Sequence, residues 1–158
     1  MMHPNECKCA YCEMGTEKAL AMEREFIAKD GFFAHLIAED KTTPMGFNAH
    51  THGFELTWNH PDLQIVFPVD GQVAMGLFWA AVAHIKEGSV FSDGDVVARI
   101  AGNNYKVKFI KVQEAGRDVL RMILPDLQGN LDVETITGNF RHQYCDISPC
   151  EKHPFSMN

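Results

Sequence analysis

Five cysteines stand at the two ends of this chain and none between. Cys7, Cys9 and Cys12 form a C-x-C-x2-C run, Cys145 and Cys150 follow near the other end, and His3 and His153 flank the set. Zinc takes its four tetrahedral ligands from thiolates and imidazoles, and a C-x2-C pair brings two sulfurs to one ion from a single turn. The N-terminal run lies in a polar stretch ahead of the first helix, where packing gives no reason for three neighbouring thiols. The spacing therefore predicts a structural zinc site built from Cys9, Cys12, Cys145 and Cys150, joining the two ends of the chain. The competing readings are a reversible dithiol at Cys9 and Cys12 and unpaired bystander thiols.

His50 and His52 are the second constellation. On a strand, residues two apart project to one face, so both imidazoles can reach one metal ion or one small anionic ligand. His60 follows one turn later, and His35 belongs to a neighbouring strand. Read as a cofactor-binding pair in a pocket, His50 and His52 would serve a metal-dependent hydrolase or a thiol oxidoreductase; read structurally, they line a half-exposed sheet face. His84 falls on an apolar helix stripe and is expected to be a satisfied core residue. Asp93 and Asp95 flank Gly94 without the rest of a calcium loop, so they are expected to make a turn. The chain has no Gly-rich phosphate loop, no G-x-S-x-G elbow and no H-E-x-x-H helix.

The elements that must position these groups follow from periodicity. Thr16 opens a helix to about Lys29, stopped by Gly31. Strands are expected over 32–38, over 47–58 with a bulge at Gly53, and over 63–69, the last so apolar that both its faces should be covered. Asp70 caps a helix over 71–87 that is apolar nearly all round and ends at Gly88. This helix predicts heavy burial and, through its surplus apolar surface, a homodimer; a self-associating interaction module is the third functional reading. Strands over 96–100 and 105–112 pair across Gly102-Asn103-Asn104, and a last strand covers 119–124. The expected fold class is α+β: one mixed or mainly antiparallel sheet packed with two main helices.

Bulk properties set limits on partners. The 158 residues, 46% hydrophobic and 22% charged, predict one domain, with a Cys-rich arm over 1–15 and an irregular tail over 130–158. A net charge of -7 and a pI near 5.5 argue against nucleic acid and against an anionic membrane as partners. The start shows no signal peptide, and the longest apolar run, 73–85, is shorter than the roughly 20 residues that span a bilayer. The expected compartment is the cytoplasm, where thiols stay reduced.

Several segments resemble a bacterial family catalogued as domain of unknown function 4262. Cys9-Ala-Tyr-Cys12 resembles its N-terminal C-x-x-C pair, and Phe26-Ile-Ala-Lys-Asp-Gly-Phe32 its helix end. His50-Thr-His-Gly-Phe54 is similar to its aromatic-Thr-x-Gly-Leu segment and His60-Pro-Asp-Leu63 to its His-Pro-Glu-Leu. Phe91-Ser-Asp-Gly94 and Leu124-Pro-Asp-Leu-Gln-Gly129 match two later turns. Two departures stand out: the segment over 113–118 is shorter than usual, and Leu131-Asp-Val133 replaces a Pro-Trp. The resemblance implies the architecture of the segment over 9–129; it brings no activity with it.

Overall fold

The computed structural model describes residues 15–147. Helix α1 (Thr16–Asp30) begins after Gly15 and ends at Gly31, whose N–H bonds back to Ile27 O. Strands β1 (Phe33–Ile37) and β2 (Asn48–His52) follow as an antiparallel pair. The strand expected over 47–58 stops at His52, because Gly53 at φ 102 turns the chain into a short helix, α2 (Phe54–Trp58). A side chain is excluded at Gly53: a Cβ there would lie 2.9 Å from Ile27 Cγ1.

Strand β3 (Leu63–Ile65) leads to α3 (Gly71–Lys86), whose N-cap Asp70 accepts the N–H of Gln72 at 2.8 Å. The pairing expected around Gly102 shrinks to β4 (Val96–Val97), since Arg99, Asn103 and Asn104 all take positive φ and leave the ladder. Strands β5 (Val107–Glu114) and β6 (Arg117–Ile123) form the longest pair. Their two-residue turn, Ala115-Gly116, has φ of 49 and 82, the primed geometry that matches strand twist. A 3-10 helix (Gly138–Tyr144) follows β6.

The six strands make one mixed sheet in the order β1-β2-β3-β6-β5-β4, in which only β3 and β6 run parallel. The fold is α+β, as the order of elements predicts. Register assigns alternate lateral rows to opposite faces. Leu36, Ala49, Ile65, Met122 and Phe109 fall on one face, in the main core with Ala74, Leu77, Phe78, Ala81 and Val82 of α3. The outer side of α3 keeps Val73 and Trp79 in solvent. The next row, His35, His50, Gln64, Arg121 and Ile110, lies on the other face. Part of that face is covered by the C-terminal stretch, through a smaller cluster of Ile123, Ile136 and Tyr144 with Ile110, Leu131 and Phe140. No helix among the described residues is long and apolar enough to cross a membrane.

Candidate functional site

Four polar side chains lie across four strands on a buried sheet face. His35 and His50 are direct cross-strand partners, His50 pairs with Gln64, and Gln64 pairs with Arg121. All four are at most 3% exposed. Such burial demands partners, and hydrogen bonds supply them in one direction. Arg121 Nε donates to Gln64 Oε1 at 2.9 Å, Gln64 Nε2 to Asn48 Oδ1 at 3.2 Å, and Asn48 Nδ2 to Asp40 Oδ2 at 2.8 Å.

That chain settles the tautomer of His50. The Asp40 carboxylate only accepts, so Asn48 must turn its amide nitrogen to it and its Oδ1 toward Gln64 and His50. His50 Nδ1 lies 3.1 Å from that oxygen and 3.6 Å from Glu114 Oε1. Facing the Asn48 oxygen, Nδ1 carries the proton, as in a metal-ligating imidazole whose other nitrogen is fixed by an amide or carboxylate. The ring of His50 stands edge-on to those of His35 and His52, with centroids 5.2 and 5.0 Å away. Two imidazoles on one tetrahedral ion have centroids roughly 5 Å apart, given Zn–N bonds of about 2.0 Å.

Among the described residues, Glu114 brings a network of charges to these rings. Glu114 Oε2 accepts from Arg117 Nε at 2.8 Å, and Arg117 Nη1 reaches Asp62 Oδ2 at 3.1 Å, so one guanidinium serves two carboxylates. Asp40 is buried and held by Asn48 and by the N–H and hydroxyl of Thr42; it makes no ion pair among the described residues. Burial pushes the Asp62 carboxyl up, against the pull of Thr51, Arg117 and the Phe54 N–H.

Thr51 and Asp62 explain the two family-like segments over 50–54 and 60–63. Thr51 Oγ1 donates to Asp62 Oδ1 at 2.8 Å and accepts the Leu63 N–H at 2.9 Å, and Asp62 Oδ1 also takes the Phe54 N–H. The lock fixes the turn out of β2 and so the direction of His50 and His52. His60 serves the same region: its Nδ1 donates to Pro61 O at 2.8 Å and its Nε2 accepts the Phe91 N–H at 3.0 Å. Both nitrogens are committed, and burial holds this imidazole below its usual pKa, opposed by the Pro61 bond. His60 also lines a cleft of about 460 Å³ with Glu55, Asp93, Lys111 and Asp118. His84 is half-buried and meets Arg99 O at 3.2 Å, and Asp95 closes its turn by accepting the Ser92 N–H. In the later Pro-Asp turn, burial opposes ionisation of Asp126. Hydrogen bonds from Asn130 and Thr137 nonetheless hold its carboxyl well below the usual range.

Of the residues predicted from sequence, the structure brings His50, His52 and His35 together. Cys9, Cys12 and Cys150 lie outside the described residues; Cys145 is described, is disulfide-bonded, and has His142 Nδ1 3.2 Å from its sulfur. Among the described residues no three His, Cys, Asp or Glu side chains are arranged to hold a metal ion. Asn48, Gln64, Glu114 and Arg121 were missed. An arginine inside the apolar run over 119–124 was the available signal for the last of these.

A family model described as domain of unknown function (DUF4262) matches residues 26–131. The chain belongs to the DUF4262 family. The match spans the imidazole row, the Thr51–Asp62 lock and β6, and it begins after the N-terminal cysteines. Comparison with curated proteins and with solved structures returned no match.

Proposed function

We propose that this DUF4262 protein binds a zinc-class divalent cation through His50 and His52, completed by cysteine thiolates from the ends of the chain. The observation that carries the reading is His50 itself: a fully buried imidazole with Nδ1 bonded to Asn48 and 3.6 Å from Glu114, its ring against two others. A carboxylate or amide behind a histidine is the usual support of a metal-ligating ring, since it fixes the tautomer and raises basicity. Glu114, 3.6 Å from His50 Nδ1, adds a carboxylate that favours a cation near this ring.

Zinc needs four ligands, and the thiolates Cys9, Cys12, Cys145 and Cys150 are the soft donors this sequence adds to His50 and His52. Cys145 donates only once its disulfide is reduced. The test is elemental analysis of the full chain, purified under reducing conditions without added metal. One equivalent of zinc is expected in the wild type, with most of it lost in His50→Ala and in Cys9→Ser/Cys12→Ser. A metal content below about a tenth of an equivalent, set against the tight affinity of such sites, removes the proposal. His52→Ala, at the rim of the cluster, repeats the measurement in a chain whose fold is least disturbed.

A further inference from the structure

We propose that Arg121 anchors a second ligand site, for an oxyanion of the carboxylate or phosphate class, and that the chain's own Asp146 fills it in this structure. The site stands apart from the metal reading and needs no metal. A guanidinium recognises planar oxyanions through two parallel N–H bonds, and Arg121 makes that pair: Nη1 donates to Asp146 Oδ1 at 2.6 Å and Nη2 to Asp146 Oδ2 at 2.8 Å. The rest of the group is held by fixed parts of the fold. Nε donates to Gln64 Oε1 at 2.9 Å, and Nη1 also to the Gln143 carbonyl at 2.8 Å. Arg121 is 1% exposed, so its fork is aimed before any ligand arrives.

Asp146 is the replaceable partner. Its carboxylate makes no other hydrogen bond among the described residues, and its side chain is 36% exposed. The segment that carries it is fastened independently: Gln143 accepts the Leu124 N–H and donates to the carbonyls of Leu124 and Phe140. Asp146 can therefore swing away while the 3-10 helix stays on β6. It also forms a wall of a cleft of about 500 Å³, with Lys111, Val112, Gln113, Asp118 and Ile147, so the carboxylate that caps the guanidinium is itself open to an incoming anion. Lys111 in that cleft is paired with Asp118 at 3.3 Å, and Gln113 donates to the same Asp118, so the fork of Arg121 is the selective element. A tethered carboxylate acts at high effective concentration, and an outside anion must displace it.

The test is thermal unfolding of the full chain titrated with sodium acetate, sodium phosphate and sodium chloride at matched ionic strength. Asp146→Ala should melt below the wild type and recover saturably with an oxyanion. The concentrations needed should be at least about tenfold lower than those that move the wild type. Recovery with acetate alone assigns a carboxylate ligand and recovery with phosphate alone a phosphate ester; either supports the site. Asp146→Asn, isosteric and neutral, carries the same measurement if the alanine variant does not fold, and a variant that folds only with oxyanion present also counts in favour. Chloride acting as well as the oxyanions overturns the proposal. So does a variant that no salt restores, or an undiminished response when Arg121→Lys, which keeps the charge and loses the fork, is added to Asp146→Asn.

Discussion

At the scale of single residues, His50 and His60 are buried imidazoles with opposite commitments. His60 has both nitrogens spent on backbone groups and depends on staying neutral, because its Nε2 must accept the Phe91 N–H. Its folded pKa lies below the unfolded value of about 6.5, so its share of stability is complete above that pH and is lost as pH falls toward the lower folded value. The urea midpoint of the wild type should drop between pH 7 and pH 5, and His60→Gln, whose amide can still donate and accept, should drop less; equal slopes would assign the loss to other groups. Tyr144 gives the alkaline counterpart. Burial, helped by Asp132 and Glu134, pushes its phenol up to about 12, and its hydroxyl donates to Leu131 O. Its contribution is present below the unfolded value of about 10 and is lost as pH rises through about 12. Absorbance titration of Tyr144→Phe should lack the last tyrosinate step.

For His50, truncation removes a wholly buried ring and its bonds in one step. His50→Ala is expected to lose about 2–4 kcal/mol in urea unfolding, by cavity and unmet hydrogen bonds together, and His52→Ala about 1 kcal/mol or less. The pair was legible in the sequence because two histidines at strand spacing stand out. Glu114 and Arg121 were not, since each reaches its partner through the parallel pairing of β3 with β6, a non-local contact that no spacing along the chain encodes.

At the scale of elements, the lock between β2 and β3 carries most of the positioning. Thr51→Val keeps the shape of the side chain and removes both bonds of its hydroxyl, leaving the Leu63 N–H buried without its acceptor. A loss of about 1–3 kcal/mol is expected in urea unfolding. Gly53→Ala should cost more than about 1 kcal/mol, for it adds strain at positive φ to a clash with Ile27. The sequence pattern predicts a bulged continuation of a strand here; the structure has a strand end, a left-handed glycine and a short helix. The apolar residues Phe54 and Trp58 fit either conformation, and the deciding bond, from the Phe54 N–H to Asp62, comes from eight residues away. Helices α1 and α3 were legible because their stop and cap signals are local: Gly31 ends one, and Asp70 with its bond to Gln72 begins the other.

For the molecule as a whole, the two faces of the sheet divide the work. One takes α3 and the larger apolar core; the other carries the imidazoles and Arg121, the latter under the C-terminal stretch. The alternation that sorts them has a consequence for how the chain finds its pairing. Sliding β2 by a single residue against β1 and β3 would drive His50 and His52 into the layer beneath α3 and turn Ala49 and Thr51 toward Glu114 and Arg121. A slipped sheet would entomb imidazoles in hydrocarbon and take from Asp40 the Asn48 amide that it accepts. The buried histidines thus penalise every misaligned register of β2, which makes them part of what specifies the sheet itself.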